Sequence, residues 1–465
     1  MTTSTLIYLL DGIHLITPAD RVTVVNVAQT VTIASLLCSD VPVSGCATRP
    51  VTLQLQSNHL QLTITGNLTL LNLVYNGDFP LLAGCLTCLN CPLTVLNSAG
   101  EVVNSRGDPA ASQSACSPYS NAVLLQVQPD ASLSLFSVSF LNLQHQLKSL
   151  IYSTCGEINF HDVHFANITS RKLTGSGLLT IATVQFAAVS GLCGHFRYTG
   201  GSVQLLNNGF EYSRYEAKFA PFLKAENLVS FEVNSVIFSW NLMARTLLYL
   251  LSFGQATIEK CIFEGNIVTE GPIYVASMAA NTLENPHFAL KSTLFKGNFG
   301  RLSSALLLSF QVSPQSILVE NCTFEGNYAQ TYGVIDLRNY FLSTDFHTSQ
   351  PVLLHNLTFT GNISPFVLYL NSSANVLITD VVFRGNGDSS TRQTGELAVV
   401  GKYVGFSGTY ASVIPSHQLV TTCKMVLSFA QVSNGSVSNT DFHSNYCPNG
   451  SPGLTIADNS SVKTT

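Results

Sequence analysis

The sequence predicts an all-β fold, a parallel β-solenoid running as one elongated domain through nearly all 465 residues. Three observations carry that expectation. A short motif centred on Phe recurs eight times in register. The segments between its copies are strand-length and apolar, punctuated by Gly, Asn and Ser, with almost no helical period. Charged residues make up only 10% of the chain, against about a quarter in a typical soluble domain, while hydrophobic residues stand at an ordinary 46%.

The composition excludes several classes. A chain this apolar and weakly charged is not intrinsically disordered. A net charge of −5 without a basic block makes a poor nucleic-acid binder. No stretch reaches the roughly eighteen apolar residues needed to cross a bilayer as a helix. Length alone would argue for about three domains, but elongated repeat folds break that rule.

Along the chain, Leu60–Leu73 and Ala131–Leu143 read as the first coils, separated by an insertion at residues 76–120. The motif then appears at Phe165, Phe238, Phe263, Phe295, Phe324, Phe359, Phe383 and Phe442, with spacings of 25, 32, 29, 35, 24 and 59 from Phe238 onward. The best copies fill residues 238–445. The last gap holds either an insertion near residues 392–423 or two coils with a degenerate middle one. Each motif leads through a polar turn into a second apolar strand, as in Gly271–Ser277, Ser304–Phe310, Tyr332–Leu337, Phe366–Leu370 and Gly453–Asp458.

Parity assigns the faces. Two positions before Phe stand Val163, Val236, Cys261, Thr293, Cys322, Leu357, Val381 and Thr440, all small or branched. One position after it stand mostly polar residues, among them Glu264, Lys296, Glu325, Arg384 and His443. Alternation along a strand therefore turns Phe and Phe−2 inward and Phe+1 outward. Three residues after Phe, Asn266, Asn298, Asn327, Asn362, Asn386 and Asn445 sit where the strand turns. An Asn there tolerates left-handed backbone angles, and its amide can bond the same residue one coil away. With coils of about 25 residues stacked ~4.8 Å apart, the rod would be on the order of 80–90 Å long.

This pattern resembles right-handed parallel β-helix proteins of the pectin-lyase-like superfamily. The pairing of Phe-x-Gly-Asn with a following Gly-x-Ile strand (Gly271-Pro272-Ile273, Gly333-Val334-Ile335) is similar to the repeats of polymorphic outer-membrane proteins. The resemblance implies a surface protein, or a polysaccharide lyase or hydrolase. The hydrolase signatures are incomplete. Asn439-Thr440-Asp441 matches one, but adjacent aspartates, Gly-His-Gly and Arg-x-Lys are missing. No strand face collects the several carboxylates that glycoside hydrolysis or a calcium-assisted lyase needs.

The twelve cysteines and nine Asn-x-Ser/Thr tripeptides point to an oxidising, extracellular setting. Met1–Leu10 lacks the basic flank of a secretory signal, so a piece of a longer secreted protein is expected. Glycan acceptors are expected at Asn67, Asn167, Asn321, Asn356, Asn371 and Asn434, with Asn321 and Asn356 modified before Asn362, which the turn should bury. Disulfide candidates are Cys38 with Cys46, and Cys85, Cys88, Cys91 and Cys116 among themselves. Thiolates at Cys85, Cys88 and Cys91 could instead hold zinc or an iron–sulfur cluster, and spacing does not fix a pairing. Cys155/Cys193 and Cys423/Cys447 could bridge coils, whereas Cys261 and Cys322 are expected as buried, inert thiols. Arg106-Gly107-Asp108 reads as a Gly turn between charges. Trp240, the single tryptophan, is weak evidence for sugar stacking.

The expectation is a non-catalytic extracellular or cell-surface repeat protein with a structural or adhesive role. No cofactor or metal and no catalytic residue is expected. Partners would be cell-surface glycans or other surface proteins, met through the loops at residues 76–120, 338–350 and 392–423, with end-to-end stacking on further coils. A carbohydrate-active enzyme or glycan-binding module is the alternative.

Overall fold

A computed structural model gives the architecture. It describes the strands and tight turns between Ser4 and Thr464; residues 17–23, 38–46, 56–60, 77–94, 97–101, 104–122, 171–181, 206–220, 278–285, 340–351, 388–424 and several shorter stretches lie outside the description. All regular structure among the described residues is β, and the pairings are almost all parallel. Among these residues there is no helix long and apolar enough to cross a membrane.

The chain divides into two compact units. One comprises Met1–Gln185 with Leu205–Ala220, the other Phe186–Gln204 with Pro221–Thr465. In the first unit, three parallel ladders recur. Ser4–Leu9, Thr30–Ser35, Asn67–Leu71, Ser132–Phe136 and Glu157–Ala166 pair in succession. So do Ile13–Ile16, Val51–Leu55, Leu73–Asn76 and Ser139–Leu141, and likewise Val24–Val27, Gln61–Ile64, Val123–Val127 and Ser149–Ser153.

The second unit repeats the scheme. One ladder runs through the ends of Leu223–Asn234 and Leu248–Glu259 into His287–Lys291, Ser316–Glu320, Val352–Thr360, Asn375–Arg384 and Asn434–Ser438, reaching Val462–Thr464. A second follows the Phe motif from Ile237–Ser239 through Ile262–Glu264, Leu294–Lys296 and Thr323–Glu325 to Asp441–His443. The third links Ile273–Ser277, Leu306–Phe310, Gly333–Asn339, Phe366–Asn371, Met425–Ala430 and Ser451–Ala457.

Register resolves the long gap. Phe383 is the direct neighbour of Phe442, so the spacing of 59 residues is one repeat rather than two. The core is the inward half of each strand, where Leu, Ile, Val and Phe are fully buried. Alternation is kept rung after rung. In Ser316–Glu320, Ile317 and Val319 are buried while Ser316, Leu318 and Glu320 are partly exposed.

Candidate functional site

The feature that every motif copy builds is a corner. Three residues before each Phe the backbone is left-handed, with φ of 57° at Ser235, 53° at Lys260, 48° at Ser292, 55° at Asn321, 50° at Asn356, 57° at Asp380 and 48° at Asn439. This bends one strand into the next without ending the ladder; Ser292 N–H, for example, still donates to Glu320 O at 2.9 Å. Short polar residues suit the site because they tolerate this conformation and face water.

A second left-handed residue follows at Phe+2. It is Gly265, Gly297, Gly326, Gly361 and Gly385 in five repeats, with φ between 59° and 62°. The ladder Asn residues are absent from the left-handed set, which corrects the expectation that they themselves turn the strand. Glycine takes the strain and frees the following Asn for ordinary backbone angles and a buried side chain. Trp240 occupies the Gly position of its own repeat, with φ 56°. Its ring is half-buried against Gly265, where an added Cβ would lie 2.6 Å from the indole. That placement gives Trp240 a packing role.

The Asn side chains join into one continuous chain. Asn241, Asn266, Asn298, Asn327 and Asn362 each donate Nδ2–H to the Oδ1 of the next, at 2.8 to 3.0 Å, and Asn386 does the same to Asn445. Each Oδ1 also accepts the backbone N–H of the preceding Asn, as in Asn298 N–H to Asn327 Oδ1 at 3.0 Å. The second Nδ2 proton goes back to a Phe carbonyl from Asn266 onward, for example Asn327 to Phe295 O at 2.9 Å, and to Val203 O at 3.0 Å from Asn241. Asn241, Asn266, Asn327, Asn362 and Asn386 are fully buried, and these bonds satisfy their amides.

Beside this chain runs a column of rings. Phe238, Phe263, Phe295, Phe324, Phe359, Phe383 and Phe442 stack with centroids 4.6 to 5.1 Å apart and planes within 10°. In the first unit, Tyr75, Phe140 and Phe165 stack the same way at 5.1 Å. Tyr75 and Phe140 lack the Gly-Asn that follows most of the later Phe residues. Leu73 and Val138 at Phe−2, and Asn72 and Ser137 with left-handed angles at Phe−3, are the signals that mark them. Burial pushes the Tyr75 hydroxyl well above its usual range. Val203 fills the same slot as the neighbour of Phe238.

In the Phe−2 column, Cys261 and Cys322 are buried free thiols. Each lies against its own corner carbonyl, Glu259 O or Glu320 O, at 3.2 Å. Desolvation pushes both pKa values up to about 12, so both stay protonated thiols at physiological pH. Cys155, Cys193 and Cys447 are disulfide-bonded. Cys423, the six candidates Cys38, Cys46, Cys85, Cys88, Cys91 and Cys116, and the Arg106-Gly107-Asp108 turn lie outside the described residues.

Of the glycan acceptors, Asn67, Asn321 and Asn356 are exposed, Asn371 is half-buried and Asn362 is fully buried. Asn321 and Asn356 are neighbours on the outer corner, with Asn356 Nδ2–H donating to Asn321 Oδ1 at 2.7 Å. Asn434 opens the strand Asn434–Ser438, and Asn167 lies outside the described residues.

One buried ion pair went unnoticed in the sequence. Asp336 is 0% exposed and receives Arg338 Nε–H at 2.8 Å and Nη2–H at 2.9 Å in a bidentate pair. Tyr332 lies 3.4 Å beneath the Arg338 guanidinium, a cation–π contact. Burial raises the Asp336 pKa, and the Arg338 hydrogen bond and charge oppose the rise. The i, i+2 spacing of Asp and Arg on one strand is the signal that places both on one face. Arg338 occupies both carboxylate oxygens, so this acid is a structural anchor rather than a proton donor.

Asp441, the residue of the partial hydrolase signature, is exposed and has Val382 as its ladder neighbour. Among the described residues, no group of three or more His, Cys, Asp or Glu is arranged to hold a metal ion. Each repeat instead bonds and stacks against its neighbour through the Asn chain and the ring column. No protein-family model, curated protein or solved structure matches the chain.

Proposed function

We propose that the chain is a right-handed parallel β-helix of the pectin-lyase-like kind, with repeats like those of polymorphic outer-membrane proteins, serving as a non-catalytic extracellular or cell-surface scaffold in a structural or adhesive role. The observation that carries this reading is the unbroken Phe column beside the Asn chain from Asn241 to Asn445. Successive in-register repeats make a rigid element whose interior is fully committed to its own cohesion. Disulfide-bonded Cys155, Cys193 and Cys447 and the exposed acceptors Asn67, Asn321 and Asn356 support an oxidising, glycan-bearing environment.

The test is expression through a eukaryotic secretory route, followed by peptide mapping and a panel of acidic and neutral polysaccharides. Glycans at Asn321 or Asn356 with none at Asn362, and no chain cleavage of any polysaccharide, are the expected results. Release of sugar products abolished by Asp441→Asn would overturn the scaffold reading.

A further inference from the structure

The outward face of the Phe strand changes character along the stack. One position before Phe it carries Ile237, Ile262 and Leu294 in the first three motif copies of the second unit, then Thr323 and Thr358. Ile237 is 42% exposed, and Ile262 and Leu294 are partly exposed beside it. The half-buried Trp240 ring lies over Gly265 at the edge of the same repeats. Four apolar side chains therefore meet water in one patch, which ends where the column turns to Thr.

The charges beside the patch select what can cover it. One position after Phe stand Ser239, Glu264, Lys296 and Glu325, and Lys296 and Glu325 are exposed. Glu264 and Lys296 are ladder neighbours, level with Ile262 and Leu294 respectively. A second copy related by a two-fold axis along the strands, between the Phe263 and Phe295 rungs, lays each column on itself in reverse. Ile262 then faces Leu294 of the second copy, and Glu264 faces Lys296 of the second copy, each pair formed twice. The Trp240 ring faces Gly297 of the second copy, where an added Cβ would meet nothing within 4 Å, so the indole has room. A two-fold axis along the stack instead sets Ile262 against Glu264 and Leu294 against Lys296, which buries each charge against an apolar side chain. The exposed glycan acceptors Asn321 and Asn356 lead into the later Phe324 and Phe359 rungs.

We propose that this face is a self-complementary contact through which two copies of the chain associate side by side, their stacks antiparallel. The contact goes beyond the scaffold reading and rests on the ladder register, not on where the protein acts. Trp240 and the Ile and Leu side chains form its centre, and the Glu264–Lys296 pairs fix its direction. It spans about four rungs at ~4.8 Å each, well below a standard interface, so a reversible dimer with Kd on the order of 100 µM is expected.

Sedimentation velocity of the full chain up to about 1 mM reads the association. Glu264→Lys leaves two positive charges at the contact and Lys296→Glu leaves two negative ones, so each variant alone should self-associate roughly tenfold more weakly than wild type. An equimolar mixture of the two should return to within about threefold of wild type, because unlike charges then meet across the contact. Mixing leaves the charges within each chain as they were, so the recovery reads the contact and not the fold. Ile262→Asn should also weaken association roughly tenfold, whereas Thr358→Asn, on the same column beyond the patch, should leave it unchanged. A chain that stays monomeric throughout the range, or a mixture that associates no more tightly than either variant alone, overturns the inference.

Discussion

Replacing Asn327 by Leu removes the side chain that links three repeats. Its Oδ1 accepts from Asn298 N–H at 3.0 Å and Asn298 Nδ2–H at 2.9 Å, and its Nδ2 donates to Phe295 O at 2.9 Å and Asn362 Oδ1 at 3.0 Å. Leu keeps the volume but makes none of these bonds. Asn298 Nδ2 retains Phe263 O, and Asn362 Oδ1 retains the Asn327 backbone N–H, so those two amides stay partly satisfied. Asn298 N–H is left buried without a partner, and Phe295 O loses its side-chain donor but keeps its place in the strand ladder. At about 1–3 kcal/mol for the orphaned donor and about 1 kcal/mol in all for the weakened amides, the substitution should cost about 2–4 kcal/mol. The exposed corner residue Asn356, also an Asn bonded to an Asn, is the control, and Asn356→Ala should cost under about 1 kcal/mol. Native-state hydrogen exchange reads the effect locally, because repeats are coupled chiefly to their neighbours. Protection should fall at the Phe295, Phe324 and Phe359 rungs and much less at Phe442. An Asn327→Leu cost no larger than that of Asn356→Ala would refute the claim that the Asn chain holds the repeats together.

Further outcomes follow from the same geometry. Gly326→Ala should cost about 1 kcal/mol for its left-handed angle alone, since a Cβ there meets nothing within 4 Å; Gly265→Ala should cost clearly more in a thermal melt, because its Cβ falls 2.6 Å from the Trp240 ring. Phe295→Ala, between two stacked rings, should cost about 3–5 kcal/mol by chemical denaturation, and Phe442→Ala, covered on one face, roughly half of that. Iodoacetamide at pH 8 should leave Cys261 and Cys322 unlabelled until the chain unfolds, since thiols raised to about 12 carry almost no thiolate. Because the Asp336 pKa is raised on folding, the folded chain holds that proton more tightly than the unfolded one. Its stabilising effect is therefore complete in acid and lost as pH rises past the ordinary carboxylate value of about 4, so the stability difference between wild type and Asp336→Asn should move in favour of Asn over that range.

What the sequence reveals of this molecule depends on how many bonds share one residue type. The Phe rings and ladder Asn residues repeat because each must match an identical neighbour, and that identity is readable without coordinates. The division of labour inside the turn is less readable. Glycine at Phe+2 carries the left-handed backbone, but Trp240 and Ser444 take the same angle and disguise the rule. Tyr75 and Phe140 join the column through position, not motif, since Asn142 stands where later repeats have Gly. The gap before Phe442 has two readings in sequence because a long connection and a degenerate repeat have the same length; only the pairing of Phe383 with Phe442 separates them. The Asp336–Arg338 pair shares its two ladder positions with the reversed pair Lys224–Glu226, but apolar and uncharged residues fill the repeats between them, so no motif marks it.

The central claim is that the motif copies stack in register, each against the next. Cross-linking Arg384→Cys to His443→Cys tests it most directly, because these residues are ladder neighbours despite the long connection between them. A disulfide requires Cα atoms within about 7 Å, which adjacent rungs satisfy and rungs two apart do not. Peptide mapping after mild oxidation should find 384 joined to 443 in high yield, with none between Thr360→Cys and His443→Cys. Efficient joining of 360 to 443, or failure of 384 to join 443 in a folded chain, would contradict the account.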